Sequence, residues 1–264
     1  MTIFHWTLPT GGDSRYLIAG GAGPGGLSAR GDRPATLDYL GQVARAAEQL
    51  GFAGVLAPAD EWSEDPWVTA AMLAGATERL RFLVPLLSPA LTARMAATFR
   101  RYSGDRLRVV GDTDEADLRL IDAVPPPEVA GPAIRLHVIT RDTSGQAWTE
   151  ARRLLAALDP VAGTFPLHGG GASKLEVYPN LWSGVGLARG GATLALVGNH
   201  AEVADRIEEY HRHGVDEFVL SGHPHLEEAY WFAEGVLPIL RNKGLWAHPY
   251  EGDSPNRPAV HLIG

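Results

Sequence analysis

The chain has no cysteine among its 264 residues, which excludes disulfides, thiolate zinc ligands and a cysteine nucleophile. It also has no block of like charge: 23 basic and 31 acidic residues give a formal net charge of −8 and are interleaved along the sequence. Without a basic face there is no electrostatic footprint for nucleic acid, and an acidic chain gains nothing from an anionic membrane surface. No apolar run approaches the length that crosses a bilayer. The opening, MTIFHWTLPTGG, lacks a basic region followed by an apolar one, so the expectation is a soluble cytoplasmic protein. Serine-elbow, P-loop and paired-carboxylate signatures are missing too. The length suits one large α/β domain spanning residues 1–264.

What is there is a rhythm. IFHWTLP (3–9) reads as a strand. TLDYLGQVARAAEQL (36–50) sets Leu37, Leu40, Val43, Ala44, Ala47 and Leu50 on one helical stripe, and Gly51 supplies the stop. GVLAPA (54–59) is a short buried strand. The helix PWVTAAMLAGATE starts with Pro66 at a favoured first position and Asp65 as its cap. RLRFLVPLL, ALTARMAATFRRYSG and RLRVV continue as strand, helix and strand. Strict alternation of this kind implies parallel strands with helices outside.

After Val110 the rhythm breaks. LRLIDAV (118–124) and IRLHVIT (134–140) both read as strands, but PPPEVAGPA between them is too short for a crossover helix. A βαβ unit takes about 30 residues, so one is missing here. SGQAWTEARRLLAALD and AEVADRIEEYHRHG are helical, EFVLSG is a last buried strand, and LEEAYWFAEGVLPILRNKG is a final helix before a surface tail, 245–264. The sum is a trimmed TIM-type (β/α) barrel of about seven strands, with one βα unit and further helices missing. Such trimming exposes apolar barrel surface, which a dimer partner would cover.

Residues 160–198, rich in glycine and without a clear period, read as one long loop. Loops of that length are lids or binding loops when they are not packed on themselves. Arg189, followed by Gly190 and Gly191, suits a cation swung toward an anion, or else a solvated one. GGAGPGG near the start resembles a phosphate-binding turn only superficially, because no helix opens directly after it. In IRLHVIT, Arg135, His137 and Ile139 share one face. If the other face meets helices, Arg135 and His137 enter the lumen, where they meet a ligand or form a satisfied structural pair. Past the last strand stand His223 and His225; a metal needs three or four ligands, and none is expected here. Ser63, Glu64 and Asp65 follow the second strand, where they could touch substrate, although capping alone accounts for Asp65.

Several stretches together resemble the bacterial luciferase-like monooxygenases, above all the FMNH2-dependent alkanesulfonate monooxygenases. They are LPTGGDSRYL, LDYLGQVARAAEQLGFAGVLAP, SEDPWV, ERLRFLV, LTARMAATFRRYSGDRL, IRLHVITRDTSGQAWTEARRL, LHGG, PNLWSGVGLARGGATLALVG and EFVLSGHPHLEEAYWFAEGVLPIL. The resemblance implies a barrel enzyme that takes reduced FMN from a separate flavin reductase and uses O2 to cleave a carbon–sulfur bond in a small organic substrate. It implies Arg135, His137 and Ser63 near the flavin, and Arg189 as a lid arginine closing on flavin or substrate, with His137, His223 and Arg189 at the chemistry. The chain departs from the pattern at Gly11, Ser63 and His223, where the family has histidine, cysteine and tyrosine. The short stretch from Val110 to Leu118 leaves out a strand and a glycine-serine loop that helps hold the FMN phosphate. The alternative expectation is therefore a noncatalytic flavin-binding protein, or the partner subunit of a full-length homologue.

Overall fold

β1 (Ile3–Thr7), β2 (Gly54–Leu56), β3 (Arg81–Pro85) and β4 (Leu107–Val110) lie side by side and parallel. They are joined by α1 (Leu37–Leu50), α2 (Pro66–Leu73) and α3 (Pro89–Ser103). Thr36 accepts the Tyr39 N–H at the head of α1, and Gly51 ends that helix at φ 88°, a left-handed conformation natural to glycine. Asp65 caps α2 by accepting the Val68 N–H at 2.8 Å, with Pro66 next in line. The computed structural model describes residues 1–15, 33–60, 63–129, 131–156, 175–187 and 194–251.

The second half adds β5 (Ile121–Asp122), β6 (Ala133–Arg141), α4 (Ser144–Ala156), β7 (Glu176–Tyr178), β8 (Leu181–Trp182) and β9 (Ala195–Asn199). It ends with α5 (His200–Arg212), β10 (Glu217–Ser221), α6 (His225–Gly235) and α7 (Leu237–Asn242). The main path of the sheet runs β4-β3-β2-β1-β10-β6-β9-β8-β7, with β5 beside β6. A parallel bridge between Val110 and Leu118 brings the chain from the β4 edge toward β5. The architecture is a trimmed TIM-type α/β barrel.

Residues 160–198 are not one structureless loop. Two strands, β7 and β8, fall inside that range and β9 begins in it, pairing with β6 from His137↔Ala195 to Arg141↔Asn199. Its run, ALVGN, is buried and does not alternate, so it carries no strand period to read. Residues 160–174 and 188–193, Arg189 among them, lie outside the described residues, as do GGAGPGG and 252–264 of the tail.

One helix departs from the expected arrangement. Ile134, Leu136 and Val138 of β6 join the main core, together with Val203, Ala204 and Ile207 of α5 and Ala229 and Phe232 of α6. Ile139, on the opposite face of β6, packs instead with Ala147, Ala151 and Leu154 of α4. The physical reason is handedness. The chain moves outward from β6 through α4 to β9, then back across β6 through α5 to β10. Right-handed crossovers in opposite directions place their helices on opposite faces. The loops leaving the neighbouring strands β6 and β10 therefore diverge, and such a switch point is where parallel sheets open a crevice at their carboxyl ends.

Below that crevice the inner face is filled by an apolar layer of Leu56, Leu83, Leu118, Ala133 and Val219. At the amino end of the strands, Glu217 accepts from Arg108 at 2.6 Å and lies 3.0 Å from buried His5. This pole pairs an ion pair with a buried imidazole at the end of the barrel that serves stability. Among the described residues no helix is long and apolar enough to cross a membrane.

Candidate functional site

The polar groups at the carboxyl pole come from three neighbouring segments. β6 supplies His137 and β10 supplies Ser221, which are partners in the parallel register. Parity then fixes their direction: with Leu136 and Val138 in the helix-facing core, His137 and Ser221 face inward. The Ser221 hydroxyl lies 2.8 Å from His137 Nδ1. Just past Ser221 the chain places His223, whose ring centroid is 5.1 Å from that of His137 and 5.3 Å from that of His225.

The third segment follows β1. Asp13 is buried, and its carboxylate accepts the backbone N–H of His225 at 2.9 and 3.1 Å. His225 opens α6, so Asp13 caps that helix from the far end of the sequence and sets a negative charge at the positive end of its dipole. The same carboxylate lies 3.1 Å from His225 Nδ1 and accepts the hydroxyl proton of Tyr39. Arg33 donates to Tyr39 and forms a two-pronged pair with Glu227 at the rim.

Protonation follows from this packing. Burial pushes His223 down to about 3, and the neighbouring His225 adds to the effect. His137 also falls well below its ordinary value, through burial first and then His223 and His225. Burial works against the charge on Asp13, but the donors from His225 and Tyr39 outweigh it and hold the carboxyl down to about 2. The pole thus combines the neutral imidazoles of His137 and His223 with a fixed carboxylate. Those groups can donate or accept hydrogen bonds, take up a proton, or ligate a cation.

Beside it lies a second buried charge. Arg141, at the end of β6, donates to Glu228 at 2.5 and 2.9 Å and stands over the Trp231 ring at 5.0 Å. Gly222 lets α6 approach so closely, since a Cβ there would lie 2.4 Å from Cβ of Glu228. Burial pushes Glu228 up to about 7 against the pull of Arg141.

Of the residues singled out in the sequence, His137 and His223 come together here. Arg135 faces the same way but stands one position along that face nearer the amino end, where it donates to Asp122 at 2.8 Å in a partly exposed pair. Ser63 is half-buried in the β2–α2 connection and donates its N–H to Asp60 at 3.3 Å. The next residue, Glu64, ties that connection to the β1 loop through a 3.0 Å bond to Thr10. Arg189 lies outside the described residues. Sequence reasoning missed Asp13, Ser221 and Tyr39. The signal for Asp13 was its place just after a barrel strand, the position from which such folds draw their site.

Residues 15–110 and 121–217 match the family model for luciferase-like monooxygenases. The break between the two matched segments falls on the stretch where the strand–helix rhythm stops. Among solved structures, the chain is similar to a riboflavin lyase, RcaE, described with modified FMN and its substrate riboflavin: 15% identity, 97% of this chain and 94% of that one covered, TM-score 0.67. It is also similar to the EDTA monooxygenase EmoA of Chelativorans sp. BNC1, with 14% identity, 95% and 96% covered and a TM-score of 0.62. DmoA of Hyphomicrobium sulfonivorans follows at 15% identity, 92% and 88% covered, and a TM-score of 0.61. At these identities the likeness is one of fold.

Proposed function

The chain belongs to the luciferase-like monooxygenase family, and on that premise we propose that it is a reduced-flavin (FMNH2)-dependent monooxygenase acting on a small organic substrate, with an alkanesulfonate the first class to try. The observation that carries this reading is the polar pole built by Asp13, His137, Ser221 and His223 at the carboxyl ends of β1, β6 and β10.

The residues fit a flavin ring. Thr7 Oγ1, Thr10 Oγ1 and His223 Nδ1 are buried without hydrogen-bond partners in the protein, and such groups favour a polar guest that satisfies them. A flat heterocycle edged with carbonyl and N–H groups supplies both donors and acceptors. His137 and His223 would hold the ring, with Ser221 fixing the orientation of His137. When bound, reduced FMN supplies the electrons for O2 chemistry. The protein's own part is to hold neutral imidazoles against that chemistry, to keep water out with α4, and to donate or receive a proton at a histidine ring nitrogen. Arg189 is proposed as the lid cation closing over the anionic end of flavin or sulfonate. A separate flavin reductase would deliver the cofactor in the cytoplasm.

A homodimer, or a heterodimer with a full-length homologue, would use the outer face of α2 and α3. There a groove of about 540 Å³ lined by Trp67, Met95, Phe99 and Tyr102 lies on the same helices as exposed Val68 and Met72.

The second reading, a noncatalytic flavin-binding protein or partner subunit, is favoured by the apolar layer beneath His137 and by the break in the family match at 111–120. One experiment separates the two. The full chain is titrated with FMN and, without oxygen, with FMNH2; it is then assayed with a flavin reductase, O2 and a panel of sulfonates, reading sulfite release. Saturable binding with turnover supports the enzyme. Binding without turnover supports a noncatalytic flavin-binding protein, and no binding of either flavin form sinks both flavin-binding readings and leaves the partner subunit that has lost canonical FMN binding.

A further inference from the structure

We propose that Asp13, His223 and His225 form a binding site for a divalent first-row transition metal ion of the Zn2+ class. Each residue offers one ligand atom, and these atoms all lie within 4.8 Å of one another. Around Zn2+, with ligands at about 2.0–2.2 Å, neighbouring ligand atoms of a tetrahedron stand about 3.4 Å apart. His225 Nδ1 lies 3.1 Å from an Asp13 carboxylate oxygen in a hydrogen bond, which a metal would replace by taking the place of the ring proton.

A second observation points the same way. His223 Nδ1 is buried and has no hydrogen-bond partner, a state that costs free energy unless something fills it. A cation beside a buried carboxylate does fill it. Two imidazoles and one carboxylate, the ligand set found among the described residues, form a three-ligand site of the kind that leaves a fourth position to water or an exogenous molecule. Imidazole selects zinc, cobalt, nickel, copper or iron over magnesium and calcium, which prefer all-oxygen shells. The outer shell is present as well: Tyr39 donates to Asp13, and the Asp13 carboxylate is oriented by the N-terminus of α6.

The site claims the same His223 nitrogen that the flavin reading offers to the ring, so metal and flavin are alternatives at that atom, and the test omits flavin. The full chain, stripped with a chelator, is titrated with Zn2+ alone and with Co2+ alone by calorimetry and by cobalt absorption, and with Mg2+ for comparison. The expected result is one equivalent of Zn2+ or Co2+ per chain, no competition by Mg2+, and affinity reduced at least about tenfold in His223→Phe. That variant keeps a ring in the space, and circular dichroism with a thermal melt checks its fold. Asp13→Asn, which trades an anionic ligand for a neutral one and keeps an acceptor for α6, should weaken binding too. His213→Ala, on the exposed end of α5, should leave stoichiometry unchanged. Absence of saturable Zn2+ binding, or binding unaltered in a folded His223→Phe, overturns the proposal. Loss of flavin binding with retained Zn2+ binding would sink the flavin reading and leave this one standing.

Discussion

Asp13 and His225 stand 212 positions apart in the sequence, yet the carboxylate of one holds both the backbone N–H and the ring of the other. This contact joins the β1 loop to the start of α6 and fixes the stretch that carries His223.

Asp13→Ala should therefore cost about 2–4 kcal/mol of stability, the sum of a lost helix cap and of buried donors left without an acceptor. Asp13→Asn, which keeps one acceptor, should cost less. Urea unfolding of the metal-free proteins measures both; equal and negligible losses would mean that the cap carries no weight.

Acid should destabilise the metal-free protein before its carboxylates titrate. His5, His137 and His223 all sit below the ordinary value of 6.5 when folded, so below that pH the unfolded chain binds protons that the folded one refuses. Each such group lowers stability by up to about 1.4 kcal/mol per pH unit in that window. Glu228, raised to about 7, runs the other way, because the folded form holds its proton where the unfolded form has lost it. Three groups against one leave a net fall from about pH 6.5 downward. Asp13, held at about 2, adds its loss only below about pH 4, where the unfolded carboxyl takes up its proton. Urea midpoints that rise on acidification between about pH 7 and about pH 5 would contradict this ordering.

Glu228 can be examined alone. Its folded value is raised, so its contribution is fully present below the unfolded carboxylate value and is lost as pH rises through about 7. Glu228→Gln keeps hydrogen bonding to Arg141 without the titration, and should gain on the wild type as pH goes from about 5 to about 8. Glu228→Ala should instead cost about 3–5 kcal/mol, because it removes the two-pronged partner of the buried Arg141 guanidinium and leaves it only the Thr140 carbonyl and Glu150 at 3.9 Å.

The functional reading predicts different behaviour at His137 and Arg189. His137→Phe preserves the ring volume beside Ser221 but removes both ring nitrogens, so flavin affinity and turnover should fall by about tenfold or more, while the chain still folds at a cost of about 1–3 kcal/mol for the buried Ser221 hydroxyl left without its partner. Arg189→Ala should lower turnover and leave stability alone, since a lid cation contributes little to the core. A variant of Arg189 that unfolds would defeat the lid assignment.

Much of the fold could be read without coordinates, for local reasons. The stripe Leu40, Val43, Ala44 and Ala47, the cap at Asp65 and the stop at Gly51 depend on neighbours within a few positions, and they appear as expected, whereas Leu37 and Leu50 at the ends of that stripe are exposed and half-buried. The inward pointing of Arg135 and His137 followed from a two-residue period and one apolar face. β9 escaped notice because a strand covered on both faces has no alternation to betray it.

What composition and periodicity determined was the class of the protein: an α/β chain without thiol chemistry, with parallel strands and a polar pair on β6. Tertiary structure decided everything that hinges on partners far apart in sequence. Only folding shows that Arg135 spends its charge on Asp122, that α4 crosses to the inner face, and that Asp13 meets His223 and His225. Side-chain period records which way a residue points along its own strand. Which residue it finds there depends on the handedness of crossovers and the order of strands, and neither leaves a mark in local sequence.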